Sequence, residues 1–79
     1  MNITVKLFGT LSDLFPEYDF EKGLEVNLPE GSKVADLLAI LDISDEQGGT
    51  VLMDSRFLSR EERLSSGSQV LIFQALNGG

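Results

Sequence analysis

The sequence predicts an α+β domain in which one amphipathic helix lies on a single mixed sheet of about five strands. Short apolar alternations occur near both ends, at Ile3, Val5 and Leu7 and again at Val70 and Ile72. Between them Val34, Leu37, Leu38 and Leu41 recur at i, i+3, i+4, i+7, the clearest helical spacing in the chain. One helix can cover only one face of a sheet, which separates this pattern from an α/β sandwich covered on both faces.

The elements follow in order. Residues 2–8 read as a strand, with Ile3, Val5 and Leu7 on one face and Thr4, Lys6 and Phe8 on the other. Gly9 ends it. Residues 10–15 suit one or two helical turns before Pro16, which disfavours helix at the residue preceding it. Residues 17–23 read as a loop and 24–28 as a second strand, with Leu24, Val26 and Leu28 sharing a face. Pro29-Glu30-Gly31 is a turn. Ser32 is the expected N-cap, because its hydroxyl can accept from a free first-turn amide, and the helix should run over 33–41.

Residues 42–49 form a connection, with a possible helical turn at 44–47, and Gly48-Gly49 should close it. Strands at 50–53 and 56–58 flank Asp54-Ser55, a two-residue hairpin turn in which glycine would serve better at the second position. Residues 59–68 carry turn chemistry around Leu64 and Gly67. The last strand is 69–75, and the order is ββαβββ.

Composition narrows the function. Seventy-nine residues make one domain, residues 1–79. A chain of this size buries about 60% of its unfolded surface, enough for a single modest core. There is no cysteine and no histidine. That removes the thiol nucleophile, the thiolate metal ligand, the disulfide, the commonest general base and the commonest imidazole ligand. Net charge is −7, which argues against nucleic acid. The first residues lack the basic end and apolar core of a signal peptide. No apolar run approaches the roughly 20 residues of a membrane span. The expected setting is the cytoplasm, with no membrane or nucleic-acid partner.

Few side chains here can do chemistry, so the chain end draws notice. An apolar run, Val70 to Phe73 then Ala75 and Leu76, leads into Asn77-Gly78-Gly79. A terminal glycine offers only its α-carboxylate, on a backbone thin enough to enter another protein's active site. Fully extended, residues 76–79 reach roughly 13–14 Å beyond the last strand. They are expected to form a flexible tail, and Gly78 to let the backbone pass close to a partner. Taken alone, a Gly-Gly end reads most simply as a frayed terminus.

The whole chain, however, resembles a family. The ββαβββ order, Leu28-Pro29-x-Gly31-x-x-Val34-x-x-Leu37-Leu38, Leu64-x-x-Gly67-x-x-Val70 and the final Gly78-Gly79 are similar to the ubiquitin-like sulfur carriers of the MoaD/ThiS type. The long 9–22 segment makes the chain most like the small subunit of molybdopterin synthase, with the thiamine-pathway carrier as sibling. Ser66 and Ser68 stand where that family often has Asp. Asp54-Ser55 stands for Asn-Gly, and Gln74-Ala75 for the prolines usual in the molybdopterin branch.

The resemblance implies a β-grasp fold and a function on Gly79. A ubiquitin-activating-type adenylyltransferase would use ATP to adenylate that carboxylate. A sulfur donor would then leave a thiocarboxylate, which the large subunit of molybdopterin synthase or another sulfur acceptor would take up. No stably bound cofactor and no independent enzymatic activity are expected, and the free protein should be a monomer. Thiamine or another sulfur pathway, conjugation to lysines and a non-covalent ubiquitin-like binding module stay open as alternatives.

Partners need a surface to grip. The last strand is apolar on both parities. If Val70 and Ile72 face the helix, Leu71 and Phe73 stand on the other face, where Phe57, Leu76 and Asn77 can extend the patch. The resemblance places Phe73 in the partner interface. The opposing arrangement has Phe8 and the 10–22 segment folding over that face as a second small core.

Other clusters carry less. Asp42, Asp45 and Glu46, like Glu61 and Glu62, lack the alternation of a calcium loop. Arg56, Arg60 and Arg63 can pair with such carboxylates. Ser65-Ser66-Gly67-Ser68 has no base beside it and reads as turn chemistry.

Overall fold

A computed structural model describes residues 1–44 and 48–74. Among these described residues are five strands and one α-helix: β1 (Asn2–Phe8), β2 (Leu24–Asn27), α1 (Val34–Ile40), β3 (Gly48–Met53), β4 (Arg56–Phe57) and β5 (Gln69–Gln74). A 3-10 helix, Gly9–Leu14, follows β1 and buries Leu11. It ends at Phe15, which takes the extended backbone favoured before proline.

The strands form one sheet in the order β2-β1-β5-β3-β4. β1 and β5 are parallel, from Thr4 opposite Gln69 to Phe8 opposite Phe73. The other pairs are antiparallel. The sheet is therefore mixed, with the α+β architecture that the sequence predicts.

Side-chain alternation decides which face is covered. Ile3, Val5, Val70 and Ile72 are completely buried, together with Val34 and Leu37 of α1. Leu64 and Leu58 from the connections close the same core. Val70 and Ile72 thus belong to the core, and Leu71 and Phe73 point to the face opposite.

The start of α1 differs from the expected Ser32 cap. The helix begins one residue later, with Lys33 at the N-cap position. Ser32 is buried and its hydroxyl donates 2.7 Å to the Pro29 carbonyl instead. The first helical amides have no partner within a helix. Here Val34 N–H donates to Glu62 O at 2.9 Å and Ala35 N–H to Arg60 O at 3.0 Å. Asp36 accepts the Lys33 N–H at 2.9 Å. A tertiary segment thus does the work expected of a side chain.

Gly48-Gly49 also behaves differently. The pair opens β3 rather than closing the connection before it, because Gly48 lies opposite Gln74, with a register shift before Thr50. Of the helical turn considered at 44–47, residues 45–47 lie outside those described. The hairpin is as expected: Asp54 and Ser55 have φ of 53° and 64°, both positive as in a type I′ turn.

Ser55 holds a left-handed conformation that glycine reaches without a Cβ penalty. Ser55→Gly should raise the unfolding free energy by a few tenths to about 1 kcal/mol. Urea denaturation reads this directly, and a lowered midpoint would show the turn is not limiting.

Candidate functional site

The sheet face away from α1 is assembled by cross-strand register. One row runs Lys6, Leu71, Leu52, Phe57 across β1, β5, β3 and β4. The next runs Phe8, Phe73, Thr50. Leu52 and Phe57 of the first row and Phe8, Phe73 and Thr50 of the second line an open groove of about 800 Å³, bounded also by Gly9, Gly49 and Gln74 at the end where β5 finishes. A smaller hollow of about 480 Å³ adjoins it between Leu71, Leu52, Phe57 and Asp54.

Aromatic contacts shape one flank of the groove. The Phe8 and Phe73 rings stack with centroids 4.5 Å apart and planes 13° from parallel. Phe20 meets Phe8 edge-on at 5.3 Å, and Lys6 Nζ lies 5.0 Å from the Phe20 ring centre. Such ring pairs contribute about 0.5–1.5 kcal/mol each beyond their burial.

Tyr18 fixes the loop that carries Phe20. β2 pairs with β1 only as far as Val5. Further along that edge Leu7 N–H donates 2.8 Å to the Tyr18 hydroxyl, which replaces a strand partner.

Both arrangements anticipated for this face are therefore partly present. Phe8 and Phe20 do pack beside Phe73, yet they shield only one side. Leu71, Leu52 and Phe73 stay half-buried, Phe20 is 50% exposed and Phe57 is 70% exposed. The result is an accessible apolar surface of the sort that marks interaction sites.

Of the residues singled out from sequence, Phe73, Leu71 and Phe57 share this face. Leu76, Asn77, Gly78 and Gly79 lie outside the described residues. Leu52 and Phe8 were not assigned to the site, although each was marked by parity. Leu52 falls between core residues Val51 and Met53, and Phe8 follows core residue Leu7. Phe20 carried no periodic signal.

Glu61 and Glu62 settle into ordinary surface pairs, and Asp45 and Glu46 lie outside the described residues. Arg56 meets Glu62 at 3.0 Å and Lys33 meets Glu61 at 3.2 Å, contacts worth about 0–1 kcal/mol each at an exposed surface. Among the described residues no helix is long and apolar enough to cross a membrane, and no group of three His, Cys, Asp or Glu side chains could hold a metal ion.

Solved structures share this architecture. SAMP1 from Haloferax volcanii superposes with a TM-score of 0.72 at 19% identity, over all of both chains. A putative molybdopterin converting factor, subunit 1, from Pyrococcus furiosus gives 0.72 at 22% identity, over 96% of this chain and 99% of the other. A structure of H. volcanii small archaeal modifier protein 1 gives 0.72 at 18%, over 95% and 98%. No curated protein matches the chain.

The fold is thus the ubiquitin-like β-grasp, used by sulfur carriers and protein modifiers. Within that class, the ThiS family profile matches residues 5–79, and the chain belongs to the ThiS family.

Burial on the two parities of β5 predicts unequal mutational costs. Ile72→Ala should cost about 2–5 kcal/mol. Phe73→Ala, which loses one stacking contact and half-buried area, should cost about 1–2 kcal/mol. Equal losses in thermal denaturation would mean that the open face is a second core.

Proposed function

We propose that this protein is a sulfur carrier whose working group is the α-carboxylate of Gly79, serving molybdopterin assembly. The observation that carries this reading is the family match, which runs through the Gly78-Gly79 end. The fold shared with a putative molybdopterin converting factor subunit is in keeping with that pathway, and thiamine or another sulfur pathway is the alternative.

A free α-carboxyl titrates near 3.3–3.7, so at neutral pH it is an anion and a poor electrophile. Activation solves this. The carboxylate oxygen attacks the α-phosphorus of ATP on a ubiquitin-activating-type adenylyltransferase, pyrophosphate leaves, and a mixed anhydride with AMP forms at Gly79. Hydrosulfide, or the terminal sulfur of a donor persulfide, then attacks the acyl carbon and AMP departs. Hydrosulfide gives the thiocarboxylate directly after loss of its proton; a persulfide gives an acyl disulfide, which a second thiol cleaves, releasing the thiocarboxylate and ending as a disulfide with the donor sulfur. The thiocarboxylate sulfur attacks the substrate held by the acceptor, such as the large subunit of a molybdopterin synthase. ATP is bound by the partner, and this chain contributes the carboxylate and the surface that presents it. The reaction sequence is at home in the cytoplasm.

The Phe73 face suits the gripping role. It is apolar, accessible and at the end of the strand from which residues 75–79 continue. Glycine at 78 suits a narrow entry, because a side chain there would meet the channel wall.

A second reading is a modifier joined through Gly79 to lysine amines. The shared fold with small archaeal modifier protein 1 favours it. It uses the same adenylate, with an amine in place of sulfur as the nucleophile.

Intact-protein mass after incubation with activating enzyme, ATP and a sulfur donor tests the proposal. Replacement of one oxygen by sulfur at Gly79 is the expected result. Isopeptide-linked products would favour the modifier reading. An unchanged mass, with the enzyme competent on a known carrier, would leave a non-covalent binding module.

Two variants sharpen the test. Gly78→Val, or one residue added after Gly79, should abolish activation while leaving the melting temperature unchanged. Phe73→Ala should weaken binding to the activating enzyme by about 2 kcal/mol, roughly 30-fold, and native affinity would remove Phe73 from the interface.

A further inference from the structure

The geometry points to Gln74 as a positioning residue that pins the end of β5 to the turn after β1 and so fixes where the chain leaves the sheet toward Gly79. This rests on the carrier reading above and adds a residue to it.

The ladder between β1 and β5 ends at Phe8 opposite Phe73. One residue further on, β1 has turned into the 3-10 helix at Gly9, whose early amides have no partner within the helix. Gln74, the last residue of β5, reaches across this gap. Its side-chain Oε1 accepts the backbone N–H of Thr10. A hydrogen bond thus continues the connection of the two central strands beyond their last paired residues.

Gly9 makes room for it. Its φ is +70°, and a Cβ there would lie 2.8 Å from Gln74 Cγ, well inside contact distance. The Gln74 side chain therefore packs directly on bare backbone. It is half-buried and also lines the groove beside Phe73. Position 74 is the last residue of β5. A side chain anchored there restricts the direction in which residue 75 starts.

The consequence for activation is specific. Docking through the apolar face does not need the Gln74 bond, but delivery of the carboxylate does, because freeing the end of β5 widens the range of directions open to the chain that follows residue 74. Restricting orientation before reaction raises the productive fraction of encounters.

The test compares Gln74→Met, which keeps length and packing but lacks the oxygen acceptor, with Gln74→Glu, which keeps an oxygen in place. Two readouts are taken: hydrogen exchange at the Thr10 amide, and pyrophosphate release by the activating enzyme with the carrier as varied substrate. Gln74→Met should speed Thr10 exchange and lower kcat about three- to tenfold, the size expected for one lost hydrogen bond and a larger change than any in KM. Gln74→Glu should restore both.

Native kcat in Gln74→Met, a rise in KM with kcat unchanged, or Thr10 exchange indifferent to position 74 would each overturn the positioning role. A wild-type chain that is never adenylated by an enzyme competent on a known carrier would instead sink the carrier reading, and the positioning role with it.

Discussion

The parallel pairing of β1 with β5 governs this molecule. Parallel neighbours cannot be joined by a tight turn, so everything from Gly9 to Ser68 is a connection between them. That connection supplies the helix, the other three strands and the loops that close the core. The register of the pair puts Val5 beside Val70 and Leu7 beside Ile72 on the helix side, each 2% exposed or less. Full burial of such side chains contributes about 1.5–3 kcal/mol apiece. The same register puts Phe8 beside Phe73 on the other side. One alignment therefore builds both the core and the aromatic stack that borders the open face.

That open face is divided along the strands. Near the start of β1 it is polar, with Thr4 donating 2.9 Å to Glu25 and Gln69 standing next to Thr4. Toward the other end come Leu71, Leu52, Phe57, Phe8 and Phe73. The apolar half thus coincides with the place where the chain leaves β5. A partner that grips the apolar half is already close to whatever follows residue 74, and binding and delivery become adjacent events on one surface. The net charge of −7 favours partners whose approach surface is basic.

What could be read from the sequence was whatever repeats with a period. Alternation at 70–73 separated the core parity from the open one, and the i, i+3, i+4, i+7 spacing located α1. Local turn chemistry identified Asp54-Ser55. The features that escaped were long-range pairings without any period. Ser32 looks like a cap, but carbonyls from residues 60 and 62 already occupy the helix start, leaving its hydroxyl to Pro29. Gly48-Gly49 reads as a break until Gln74 is found opposite. Phe20 sits in a polar loop and acquires meaning only through Phe8. The chemistry assigned to Gly79 came from family resemblance, since no side-chain constellation announces it.

Strand order also dictates a timetable during synthesis. β1 is made before residues 9–68, and its inner neighbour β5 only after them. Until then the nascent chain can form the β1–β2 hairpin and α1, yet the apolar side chains of β1 have no central strand to lie beside. The emerging polypeptide must carry that exposed edge while residues 9–68 are made, and closure of the sheet waits for β5.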